Sequence, residues 1–312
     1  MRTTMLKGLA ITPPVIGRIS IGRVVEKNGK RRPEMDDQFT LTTQVQDKDG
    51  GWRLHPMDET LRQASQGSKL RSIPVTLLFN DPALNLRAEY SNFDRKTGRP
   101  LCQGNGEQCQ RVTVEDVKTL PCPSPDFCEL AEGGACKPYG RLNVIIGDDD
   151  ATGTFIFRTT GFNSIRTLTA RLAYFSAVSG GLLACMPLEL KLRGKSTAQS
   201  FGRPVYYVDL VVRTGLSLEE AITQAREIDA RRKACGFDQA ALDNAARAGF
   251  EAGVFEDGDE DGVSVVEEFF PVIEAGTTPA GSPAPAPLPA GKNGLREKLI
   301  RRSEDNAAGV AS

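Results

Sequence analysis

Five of the seven cysteines fall within 35 residues: Cys102, Cys109, Cys122, Cys128 and Cys136. Thiols at that density either pair as disulfides or hold a soft metal ion. The first residues carry no apolar block with a small-residue cleavage site, so a cytoplasmic location is expected, and there the reducing glutathione pool opposes disulfides. Five is also an odd number for a disulfide set. Zinc in a structural role takes four thiolate or imidazole ligands, which a chain supplies best from turns. Six residues separate Cys102 from Cys109, twelve lead to Cys122, five to Cys128 and seven to Cys136. These gaps are looser than the usual two-to-four-residue knuckle. Turn formers surround each thiol, at Gly104-Asn105-Gly106, Pro121, Pro123-Ser124-Pro125 and Gly133-Gly134, as suits a loop region organised by metal. Disulfides or free thiols stay open as the alternative. Cys185 and Cys235 stand alone in apolar surroundings and read as core thiols.

Other chemistry is sparse. His55 is the single histidine, which excludes within one chain any site needing two or three, and no serine, cysteine and carboxylate arrangement supports it as a catalyst. Walker, dinucleotide, nucleophile-elbow and kinase motifs are absent. Lys27, Lys30, Arg31 and Arg32 form a basic turn that suits phosphate contact as well as plain solvation. Arg158 and Arg166 flank a turn into a helix, whose free amides favour an anion. Asp148, Asp149 and Asp150 read as a solvated hairpin, and Asp257 to Asp261 lacks the ligand spacing of a calcium loop. That acidic stretch, followed by Val265, Val266, Phe269 and Phe270, suits a partner-docking segment or a mimic of nucleic-acid charge.

The elements that must position these groups read as α+β: an antiparallel or mixed sheet, a few helices and a loop-rich zinc-binding insertion. A 39% hydrophobic share supports a core. Gly8 to Arg32 predicts two short strands and a loop. Further strands are expected at Phe39 to Val45, Ile73 to Phe79, Leu86 to Tyr90, Leu142 to Ile146, Thr154 to Arg158, Leu188 to Leu192 and Val205 to Val212. Ile165, Leu168, Leu172 and Phe175 share one helical face, with Asn163 as cap and Gly180-Gly181 as stop. Ser217-Leu218-Glu219-Glu220 is a capping box opening a helix to about Ala234, and a second helix follows from Gln239 to Ala248. The organisation expected is a core over 1–215 with the insertion at about 98–140, a helical extension at 216–250, an acidic segment at 251–275, a Pro/Ala/Gly linker at 276–292 and a basic tail at 293–312. A membrane span is not expected, since no run of about 18 apolar residues occurs.

Three runs then carry a likeness: Gly98-Arg99-Pro100-Leu101-Cys102-Gln103-Gly104-Asn105-Gly106, Leu120-Pro121-Cys122-Pro123 and Gly133-Gly134-Ala135-Cys136-Lys137-Pro138. With Gly140-Arg141-Leu142, Gly153 to Thr160 and Asn163-Ser164-Ile165, they resemble the recombination directionality factor-like family of phages and integrative elements, over most of residues 1 to 215. The resemblance implies a zinc-binding insertion with Cys102, Cys122, Cys128 and Cys136 as ligands. Cys109 departs from the pattern, as a replacement for Cys102 or a spare. It also implies a protein that binds a large serine integrase and turns it from integration to excision.

The resulting expectation is a zinc-binding, non-enzymatic accessory protein of a mobile genetic element. It would act in DNA recombination or replication through the recombinase or integrase of the same element, with DNA as a further candidate partner through Lys30, Arg31, Arg32, Arg158 and Arg166. One rival is a metal-dependent hydrolase or nuclease, with Glu107, Glu115 or Glu129 as base. Another is a single-strand DNA-binding or annealing protein that stacks bases on Phe155, Phe157, Tyr206 and Tyr207.

Overall fold

A computed structural model describes residues 14–27, 30–48, 51–65, 69–147, 153–196 and 204–252. The chain divides into two compact units, Met1–Pro271 and Val272–Ser312. All the described residues belong to the first.

The first unit is α+β. Its order is β1 (Val15–Lys27), β2 (Lys30–Gln46), β3 (Trp52–Leu54), α1 (Pro56–Ala64), β4 (Ser72–Val75), α2 (Pro82–Asn85), β5 (Leu86–Phe93), β6 (Pro100–Gly104), β7 (Gln108–Val112) and β8 (Val117–Pro121). Two 3₁₀ turns, Pro125–Phe127 and Glu129–Gly134, lead to β9 (Cys136–Val144) and β10 (Thr154–Thr159). Then come α3 (Phe162–Val178), β11 (Leu188–Lys195), β12 (Val205–Val212), α4 (Leu218–Ala234) and α5 (Gln239–Ala252). Nine strands join in the order β3-β2-β1-β10-β9-β5-β6-β7-β8, and three more in the order β12-β11-β4. The large sheet is mixed, because β1 pairs parallel to β10 while its other ladders are antiparallel.

Strand alternation sends every second side chain to the same face, so each strand contributes one apolar row to a shared core. Ile19, Phe39, Leu41, Leu142, Val144, Phe155 and Phe157 of the large sheet meet Ile73, Val75, Leu188, Leu190, Val208 and Leu210 of the small one. Leu168, Leu172 and Phe175 of α3 join them, the face read from the sequence. Ala221 and Ala225 of α4 lie in the same cluster, so α4 shares the core of the strands before it, while Ala246 of α5 packs with Phe79 and Leu84 in a separate small cluster.

Several expectations change. The segment read as two short strands and a loop enters one long hairpin, with β1 and β2 paired from Gly17↔Thr43 out to Lys27↔Lys30; the basic residues thus sit on its strand ends. β4 stops at Val75, after which Thr76 bridges Ile145 and Leu77 and Phe79 stay buried. Asn163 does not cap α3. Gly161 holds that position without a side-chain bond, and the Asn163 amide oxygen instead accepts from Lys195 Nζ at 2.7 Å. Gly180 and Gly181 end the helix with φ of 69° and 82°, where only glycine avoids a Cβ clash. Ser217 and Glu220 make both bonds of the capping box. Cys185 is buried as expected, whereas Cys235 is exposed at the C-cap of α4, beyond the helix's last turn. Among the described residues no helix is long and apolar enough to cross a membrane.

His55 caps α1, a helix not expected from the sequence, whose Met57 and Leu61 face the core one turn apart. Its Nδ1 accepts from the Met57 amide at 3.2 Å, and its ring meets Phe155 edge-on at 4.8 Å. The buried side chain α1 sends inward is the carboxylate of Asp58, which accepts from the Leu41 amide and from Arg62. Burial holds the His55 imidazole below its ordinary value of 6.5. The unfolded chain therefore takes up a proton near pH 6.5 that the folded protein still refuses. The contribution is complete above that pH and is lost as pH falls from it toward the folded value. The single imidazole should titrate by NMR with a midpoint below 6.5, and thermal stability should drop as pH falls below 6.5. A midpoint at or above 6.5 would disprove the assignment.

Candidate metal centre

Three of the five clustered cysteines lie on strands, Cys102 on β6, Cys109 on β7 and Cys136 on β9, while Cys122 follows β8 and Cys128 lies between the two 3₁₀ turns. Asn92 of β5 pairs with Cys102 of β6 on one side and with Cys136 of β9 on the other. Those two thiols therefore leave the same face of the sheet, their backbones two strand spacings apart, or about 10 Å. Cys109 of β7 pairs with Gly104, two residues from Cys102 and so on the same face. A Cβ placed on Gly104 would lie 2.6 Å from Cys109 Cβ and 3.0 Å from Cys122 Sγ, so only glycine lets these two thiols close over β6. Cys128 joins the two 3₁₀ turns, and Asn92 Nδ2 donates to Leu130 O at 3.1 Å, tying the second turn back to β5.

Region 98–140 is thus built more from strand than its turn formers suggest. The turns at Gly104-Asn105-Gly106 and after Val112 join the β6-β7-β8 meander, whose pairing extends the main sheet. Glycine and proline mark the corners of such a meander as readily as those of a loop.

The thiols sense one another. Burial, then a hydrogen bond and repulsion from Cys102, push the Cys109 thiol up to about 11. Burial, then repulsion from Cys102, Cys128, Cys122 and Cys109, pushes Cys136 up to about 12. Cys109 is buried and the other four are half-buried, all as free thiols. Arg111 pairs with Cys102 across β6 and β7. Its guanidinium is raised above its usual value first by a hydrogen bond to Cys102, and it lies 3.9 Å from Cys109 Sγ. A cation inside the cluster was not anticipated; the sequence signal was its place two residues after Cys109, on the same strand face. Among the described residues, no three His, Cys, Asp or Glu side chains converge closely enough to form a finished ligand set. What fits zinc is the donor chemistry, soft sulfur from five thiols within mutual electrostatic reach.

The other candidates separate. Glu107, Glu115 and Glu129 are exposed, and Glu115 pairs with Lys118 at 3.6 Å. Phe155 and Phe157 are 1% and 2% exposed in the core, out of reach of a base. Tyr206 packs against that core, and Tyr207 lies 5.9 Å from Lys195 Nζ. Lys30, Arg31 and Arg32 open β2. Arg158 and Arg166 do not converge. Ile165 of α3 comes within 2.9 Å of the Cβ position of Gly140, whose partner is Thr159, so α3 covers that face, and Arg158, one residue from Thr159, points to the other.

A family model described as Gp3-like, recombination directionality factor-like, matches residues 16–213, from β1 through β12 and across the whole cysteine cluster. The chain belongs to the recombination directionality factor-like family. That span leaves out α4, which nonetheless packs on the main core, and α5, which packs against Phe79 and Leu84. Membership gives the chain the recombination accessory role of a phage-type element as its broad setting. No curated protein and no solved structure matches the chain.

Proposed function

We propose that this protein is a zinc-stabilised, non-enzymatic accessory factor of a mobile genetic element, acting in DNA recombination by binding the recombinase or integrase encoded beside it. The observation that supports the reading is that Cys102, Cys109 and Cys136 share one face of the sheet extension, with Cys122 Sγ against Gly104, all within the family match. Cys102, Cys122, Cys128 and Cys136 would hold the ion, with Cys109 as the fifth thiol and Arg111 offsetting the negative charge of the ligand set. Bound zinc would tie β6, β9 and the 3₁₀ turns together and lend them folding energy.

The same region supplies a contact surface. Phe127 is 82% exposed between Cys122 and Cys128, and Leu130 is 47% exposed beside it. Exposed aromatic and aliphatic side chains held on a stiff turn are the usual anchors of a protein interface. Capture of the element's own integrase by the full-length protein tests the reading. Phe127→Asp with Leu130→Asp should weaken capture by about tenfold or more while zinc content stays unchanged. Capture at the wild-type level by that variant would remove the surface from the proposal, and no capture by wild type would remove the partner.

A further inference from the structure

The small sheet buries one face in the shared core and presents the other to solvent, where successive residues of its central strand are basic. Leu188, Leu190 and Leu192 of β11 belong to the core, so Lys191, Arg193 and Lys195 alternate to the opposite face. Neighbours in this row stand two residues apart, about 6.7 Å. Arg171 of α3 joins them, because its Nε and that of Arg193 grip one buried carboxylate, Asp209, at 2.9 Å and 2.6 Å. The terminal nitrogens of both guanidinium groups have no acceptor among the described residues. Arg171, Lys191 and Arg193 are 43%, 41% and 44% exposed.

Two carboxylates share this face, Asp209 and Glu189, and both are buried beneath the cations. Glu189 accepts from the Thr214 amide and hydroxyl, each at 2.9 Å, and lies 3.6 Å from Lys191 Nζ. The acids therefore fix the row from below, while the positive groups meet solvent. Aromatic rings lie among them. Tyr207 is the cross-strand partner of Arg193, and Lys195 Nζ sits 5.9 Å from its ring. Lys195 also donates to Asn163 Oδ1 at 2.7 Å, which brings the start of α3 to that end of the row, and Phe162 beside Asn163 is 58% exposed.

We propose that this face binds single-stranded nucleic acid, with Arg171, Lys191, Arg193 and Lys195 on successive phosphates and a base stacked on Tyr207. Free guanidinium nitrogens held in place by a buried acid are preorganised donors for phosphate oxygens. A basic row interleaved with aromatic rings suits a single strand, whose unpaired bases can leave the stack and lie on a ring. The site is separate from the protein contact at Phe127 and Leu130 and from the basic strand ends at Lys30, Arg31 and Arg32, so each is tested without the others.

Fluorescence anisotropy of a labelled oligonucleotide about 12 nucleotides long, titrated with the full-length protein, tests the site. Four phosphate contacts on a single strand predict that log affinity falls against log salt with a slope of about −3. Lys191→Gln with Lys195→Gln should weaken binding by about tenfold or more at about 50 mM salt and halve that slope. Tyr207→Leu should cost about fivefold or more, with the slope unchanged. Neither variant removes a partner of Asp209, so the thermal midpoint should stay at the wild-type value. No binding by wild type at about 50 mM salt, or wild-type affinity in the double-lysine variant, would overturn the proposal. Equal affinity for a duplex of the same sequence, or no loss with Tyr207→Leu, would overturn its assignment to a single strand.

Discussion

Replacing Cys122 and Cys136 together by serine is expected to abolish zinc binding and to unfold the β6-β8 extension while the two-sheet core survives. Protein purified without a metal-affinity step should contain about one zinc per chain, because one tetrahedral site takes four of the five thiols. At free zinc a thousandfold above the dissociation constant, the bound ion stabilises the folded site by about 4 kcal/mol. The extension has little else to replace that: Cys109 is its buried apolar side chain, whereas Leu101, Val112, Val114 and Val117 are exposed. The core cluster contains none of the five cysteines, so its cooperative unfolding should move little. Elemental analysis, with hydrogen exchange over residues 100–136, reads both effects. Wild-type protein without zinc, or exchange in the variant identical to wild type, would end the zinc proposal.

The second large effect is expected at Asp209, where replacement by alanine should destabilise the protein by about 2 kcal/mol. Its carboxylate is 3% exposed and accepts from Arg171 Nε at 2.9 Å, Arg193 Nε at 2.6 Å and the Leu210 amide at 2.9 Å. Loss of one partner from a fully buried pair costs about 3–5 kcal/mol. Here the cost is smaller, since Arg171 and Arg193 are 43% and 44% exposed and can turn to water. Burial alone would raise the carboxyl; the two arginines outweigh it and hold Asp209 below its ordinary 3.8. A carboxyl lowered by folding contributes stability that is full above pH 3.8 and is lost as pH falls through its folded value. Urea unfolding at neutral pH should show the deficit, and the gap between wild type and variant should narrow as pH falls below 3.8. An unchanged midpoint at neutral pH would show that the ion pairs contribute nothing.

These two sites were unequally legible. The cysteine cluster stands out because five thiols in one stretch are rare whatever the fold. Asp209 does not, because an acid inside Val205 to Val212 looks like the solvent side of a strand; only the packing of α3 against β12 brings Arg171 to it. Arg111 escaped notice for the same reason, its role arising from the Cys102↔Arg111 register. α1 was hidden because it is short: its apolar stripe is only Met57 and Leu61, one turn apart against the core, too few residues to set a helical period apart.

By itself the sequence determined the α+β class, most strand and helix cores, the capping box at Ser217, the thiol-rich region and the family. Each of these follows from residue type and local spacing, which act over a few residues. Only the tertiary structure decided that β6 to β8 extend the main sheet, that α4 shares the core, that Arg158 and Arg166 part company and that Arg171 of α3 joins the basic row of β11. Those facts depend on strand order and register, and pairings such as β1 with β10 or β5 with β9 join residues far apart in the chain, beyond what local spacing specifies.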